Sequence, residues 1–142
     1  MKHVLLLLMA VIIACQTETT VVGTASFNSA FKLRAGESIT LQPGNVKIGF
    51  ERVAEDSRCP AGEICFWEGQ VRLRFWLLRP DADSVFIAPA LHGRVLQSDT
   101  CCHYHIDTLG YRITLMQVDP YPLLPVPPSQ PEYIAYLKVT RL

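Results

Sequence analysis

The sequence predicts an all-β fold, a single antiparallel sandwich or small barrel of about seven or eight strands. Three observations point there. Apolar and polar residues alternate with period two in most runs after residue 30. Glycine, proline and asparagine punctuate those runs, and no stretch after the first fourteen residues carries an i, i+3, i+4, i+7 apolar stripe.

Taken in order, Phe31-Lys32-Leu33-Arg34 alternates and stops at Ala35-Gly36, and Ser38 to Leu41 is a second short run closed by Pro43-Gly44-Asn45. Val46, Ile48 and Phe50 then alternate with Lys47, Gly49 and Glu51. Val71, Leu73, Phe75 and Leu77 share one face, as do Tyr111, Ile113 and Leu115. The last run places Tyr133, Ala135, Leu137 and Val139 together. Strands with one face buried produce this alternation. Between the last two runs, residues 119–131 (DPYPLLPVPPSQP) hold six prolines in thirteen positions. Proline cannot donate to a strand ladder, so this segment reads as an extended, polyproline-like crossover between sheets. Its alternative reading is a partner-binding surface with Tyr121, Leu123 and Leu124 as apolar contacts.

Lys+Arg and Asp+Glu balance at 13 each. That argues against nucleic acid as a partner, because such binding rests on clustered cations neutralising phosphates. No basic amphipathic segment suggests a membrane-surface helix either.

Residues 1–14 read as a secretion signal. Met1-Lys2-His3 supplies a positive start, and Val4 to Ala14 is an apolar run too short to span a bilayer. Its end, Ile12-Ile13-Ala14-Cys15, resembles the bacterial lipobox, which implies acylation of the Cys15 thiol and cleavage before it. Several acyl chains hold a protein stably where one is marginal. Lipoproteins resembling this one with a residue other than Asp after the cysteine, here Gln16, go to the outer membrane in Gram-negative cells. Residues 15–29 are expected to be the lipidated N-terminus and a flexible tether, and residues 30–142 the β-domain.

The most distinctive segment runs from Glu55 to Gly69 (EDSRCPAGEICFWEG). Export places it in an oxidising compartment, where a Cys59–Cys65 disulfide would persist. Such a seven-residue ring contributes about 2.4 kcal/mol on the loop-entropy picture. The other pairings would join Cys59 and Cys65 to Cys101 and Cys102. Asp56 and Arg58 are expected to form an ion-paired corner holding this loop, with Trp67 packed beneath. The other reading makes Arg58 a presented contact, for a carboxylate or a protease pocket. The set Asp56, Ser57, Arg58, Cys59, Pro60, Cys65, Trp67 and Gly69 is similar to a motif of small, uncharacterised bacterial lipoproteins. The resemblance extends to the Tyr111–Leu115 strand, Pro120–Pro122 and the Tyr-rich last strand. It implies a secreted β-domain and no established activity, and Cys101-Cys102 departs from it.

Cys101-Cys102-His103-Tyr104-His105 is the one cluster of candidate ligands. If extended, it turns Cys101, His103 and His105 to one face, a set suited to Zn²⁺ or copper, with His92 as a fourth ligand. No nucleophile elbow, H-E-x-x-H helix motif or phosphate loop occurs. A trio such as Ser98, Asp99 and His105 could arise only through the fold. The sequence therefore reads as a non-catalytic envelope lipoprotein, held to the membrane by its N-terminal lipid. Its β-domain is expected to bind an envelope protein partner or play a structural role, with no cofactor. The alternative is an exported Zn- or Cu-binding protein using Cys101, His103 and His105.

Overall fold

The strands with the strongest alternation form the interior. In the computed structural model, which describes residues 20–124 and 126–142, they build two packed sheets. The first runs in the order β1 (Thr20–Ser26), β3 (Glu37–Gln42), β4 (Val46–Asp56), β5 (Gln70–Leu78), β6 (Val85–Ile87), with β7 (Ala90–His92) also paired to β5. The second runs β2 (Ala30–Arg34), β10 (Ile134–Arg141), β9 (Tyr111–Asp119), β8 (Tyr104–Thr108). The fold is an all-β sandwich.

The core is made by the period-two faces. Ile48 and Phe50, then Leu73, Phe75 and Leu77, meet Leu33, Ile113, Leu115, Leu137 and Val139 in one apolar cluster. Phe50 and Phe75 are cross-strand partners and stack with ring centroids 4.8 Å apart. On the opposite face of the sheet, Gly49 makes room for its cross-strand partner Trp76: a side-chain carbon there would meet the Trp76 ring at 2.1 Å.

Three expectations are corrected. The tether does not run to residue 29: residues 15–19 lie outside the described residues, but Thr20–Ser26 is a strand. All but one of its side chains are exposed, so it leaves no alternation to read, and its pairing with β3 holds it. That pairing is parallel, so the sheets are antiparallel everywhere except at this edge. The described residues hold ten strands, not seven or eight. The surplus is the edge strand β1 and the three-residue strands β6 and β7, which are too short to carry a period.

The two ends of the sandwich differ. At one, the chain turns tightly at Asn28, at Pro43–Asn45 and at Leu109-Gly110. At the other lie the β4–β5 and β9–β10 loops, and β1, which starts level with Phe50, runs away from that end. β4 overruns its β3 pairing to reach this end, with register shifts between Phe50 and Arg52 and between Val53 and Glu55.

Candidate functional site

The β4–β5 loop begins with the expected corner, and the corner is buried. The Arg58 and Asp56 side chains are 3% and 1% exposed. Arg58 donates through Nε and Nη2 to the two Asp56 carboxylate oxygens, at 2.9 and 2.8 Å. It also donates to the Val118 carbonyl at 2.8 Å and the Pro120 carbonyl at 3.0 Å. A planar guanidinium can grip a carboxylate with two bonds and serve two carbonyls at once, four bonds where a lysine has only three donors. Tyr133 adds its hydroxyl to Asp56 at 3.0 Å. Burial, and then the Asp56 carboxylate beside it, pushes the Tyr133 phenol well above its ordinary range.

This cluster fastens one loop to the other. Arg58, on the β4–β5 loop, holds the carbonyls on either side of Asp119, where β9 passes into the proline loop. Tyr121 lies under the guanidinium, 5.0 Å from ring centroid to Cζ, and donates its hydroxyl to the Cys59 carbonyl at 2.8 Å. Ala61 N–H donates to the Pro122 carbonyl at 2.9 Å. At the far end of the proline loop, the Gln130 amide pairs with both backbone groups of Val53, at 2.9 Å each, and so occupies the place of a neighbouring strand at the β4 irregularity. The loop is therefore tied at both ends.

The Cys59–Cys65 disulfide closes the ring, with Cα atoms 5.9 Å apart. Cys59 N–H donates to the Glu68 carbonyl at 2.9 Å, so the ring is pinned across its neck. Gly69 permits this closure: its φ is +69°, and a side-chain carbon there would lie 1.8 Å from the Ser57 carbonyl oxygen.

Trp67 is not beneath this corner. It is 72% exposed and stands edge-on to Phe66, centroids 5.6 Å apart, while Tyr121 takes the packing place expected of it. An aromatic face stabilises a buried guanidinium, and the proline loop delivers one from 63 residues away in sequence. Tyr121 is accordingly a packing residue and not a presented contact. Leu123 and Leu124 are exposed, at 75% and 68%.

The two loops present an apolar surface. Ile64 and Phe66 are almost fully exposed, and Trp67, Leu123, Leu124 and Val126 mostly so. These are half of the large apolar side chains exposed among the described residues, gathered at one end of the sandwich. Between the loops lies an open cleft of about 400 Å³, walled by Pro60, Glu63, Ile64, Pro122, Leu124 and Pro127, with Arg58 and Asp56 at its base.

The expected ligand cluster does not assemble. Among the described residues no three His, Cys, Asp or Glu side chains come together in a way that could hold a metal ion. The strand that would have turned Cys101, His103 and His105 to one face starts only at Tyr104. His103 instead places Nε2 2.9 Å from the Leu96 carbonyl, and His105 pairs across to Thr114 on an exposed strand. A cleft of about 280 Å³ is lined by Glu68, His92, Cys101, Cys102 and His103 but not by His105. Both thiols are free and exposed. A hydrogen bond with Cys101, and then desolvation, raises the Cys102 thiol above its ordinary value. Asp99 caps a local turn, accepting the Leu96 N–H at 2.7 Å.

No protein-family model matches the chain, and no curated protein and no solved structure shows significant similarity to it.

Proposed function

We propose that this is a lipid-anchored protein of the bacterial cell envelope whose β-domain is a binding module, with no catalytic role. The observation that carries the reading is the apolar surface on the two tied loops. Exposed Ile64, Phe66, Trp67, Leu123, Leu124 and Val126 would be a liability on a protein that met only water. The framework under them is built for display: a ring closed by Cys59–Cys65, and a buried arginine with its hydrogen bonds directed into the fold. Arg58 is committed to Asp56, Val118 and Pro120, which speaks for a supporting role over contact with a substrate.

Attachment is tested by Cys15→Ser. The substitution is expected to remove acylation from the N-terminal peptide, read by mass, and to shift the protein from the membrane pellet toward the soluble fraction. An unmodified Cys15 in the wild-type chain would sink the anchor reading. The surface is tested separately with a photo-crosslinking residue at position 64. It is expected to form adducts in intact envelopes that Phe66→Ser with Leu124→Ser abolishes; adducts that persist at full yield argue against these loops.

A further inference from the structure

Chain geometry bears on what meets these loops. β1 runs away from the loop-bearing end of the sandwich, so the chain enters the domain from that end. Thr20 sits beside Glu37, its N–H bonded to the Gly36 carbonyl, and Gly36 N–H in turn donates to the Phe50 carbonyl. From the level of Phe50, β4 continues for six residues to Asp56, roughly 20 Å of strand less the shortening of its irregularities. Cys15 is five residues before Thr20, so it lies at most about 18 Å from it. With residues 15–19 extended toward this end, a lipid on Cys15 would come to about the level of Asp56.

From this we infer that the tips of the β4–β5 ring, with Phe66 and Trp67, and of the proline loop form a second membrane contact that docks into the headgroup region of the bilayer holding the anchor. The inference rests on the anchor reading above.

The chemistry of the two loops suits that layer. Ile64, Phe66, Leu123, Leu124 and Val126 supply apolar area, and Trp67 is the residue type that settles at the membrane–water interface. The six prolines of residues 119–131 have no backbone N–H to leave without water. In the ring, Cys59, Ala61 and Glu63 already spend theirs on the Glu68, Pro122 and Pro60 carbonyls. Residues 59–69 carry Glu63 and Glu68 as their charges, and residues 120–131 carry none. Attraction to anionic lipid is therefore absent, and docking is driven by apolar burial and insensitive to salt.

The test uses the full-length, cell-processed chain reconstituted in vesicles of phosphatidylcholine and phosphatidylethanolamine. Trp67→Phe provides the emission of Trp76 alone, and the difference from wild type is the Trp67 signal. Lipids brominated on the acyl chains are expected to remove most of the Trp67 emission, which lies to the blue, while aqueous iodide leaves it nearly unchanged at low and high salt. Ile64→Asp with Leu124→Asp is expected to reverse both responses. Those side chains are exposed, so an unaltered thermal unfolding curve shows that the domain is intact. A chain that is acylated and floats with the vesicles, yet whose Trp67 is quenched by iodide and spared by brominated lipid, overturns the inference and leaves the anchor reading standing. An unmodified Cys15 overturns both. Shielding of Trp67 in native envelopes but not in pure lipid also overturns it, and assigns the surface to a protein partner.

Discussion

The two ends of the sandwich use the same device to different depths. At the end with tight turns, Arg141 lies 4.4 Å over the Phe27 ring, Phe27 stacks on Tyr111, and Arg141 holds the Pro43 carbonyl. At the other end, Arg58 lies over Tyr121 and holds the Val118 and Pro120 carbonyls. The difference is burial. Arg141 is exposed and screened by water, whereas Arg58 is 3% exposed on its side chain and carries its own counter-ion. A short turn needs little support because its backbone hydrogen bonds close locally. Long loops with proline-rich chain must be fastened from within, and only a buried, fully partnered cation makes four fastenings from one residue. The end that is expensive to hold is also the one that exposes apolar side chains.

That comparison is sharpened first at its largest effect. Arg58→Ala is expected to cost about 3–5 kcal/mol in chemical denaturation, because Asp56 is left buried and unpaired. Arg141→Ala, at the exposed counterpart, is expected to leave the midpoint near that of the wild type. Equal losses at the two sites would show that burial does not set their weight.

Next is the ring. Replacing Cys59 and Cys65 with serine is expected to lower stability by about 2.4 kcal/mol, the closure entropy of a seven-residue loop. The measurement is the denaturation midpoint with and without reductant; wild type in reductant should match the variant. A midpoint insensitive to both would mean that the Arg58 contacts alone hold the loop.

The smallest effect is at Tyr133. Its folded-state pKa lies above the ordinary value of 10.0, so between the two values the unfolded chain has released a proton that the native chain keeps. The unfolded state binds fewer protons there, and stability falls as pH rises above about 10. Tyr133→Phe is expected to cost on the order of 1 kcal/mol at neutral pH, from the lost Asp56 hydrogen bond. It should also flatten the alkaline slope relative to wild type. An unchanged slope would assign it to other groups.

Legibility followed the physics of each element. Val71, Leu73, Phe75 and Leu77 are all fully buried, because a central strand under a second sheet buries every other residue and the alternation is written in the chain. The Asp56–Arg58 corner and the Cys59–Cys65 ring were readable because they are local. Tyr121, Gln130 and Tyr133 were not recognisable as their partners. They come from about 60 to 80 residues away, and nothing local distinguishes a tyrosine that supports an arginine from one that contacts a partner. β1 was hidden because backbone pairing, not side-chain burial, holds it. The Cys101–His105 cluster misled for the opposite reason: spacing implies convergence only if the backbone is extended, and the chain becomes a strand only from Tyr104.

The sequence by itself determined the fold class, most of the buried faces and the shape of the cysteine ring, since each is set by neighbours along the chain. Tertiary structure decided what could not be read from spacing. It turned Trp67 outward, brought Tyr121 under Arg58, and left Cys101, His103 and His105 without a common face. It also gathered both apolar loops at one end of the sandwich and pointed β1 away from that end. The reason is topological: β1 lies parallel to β3 and β4 overruns it, and strand direction across a sheet is a property of pairing, which no single segment encodes.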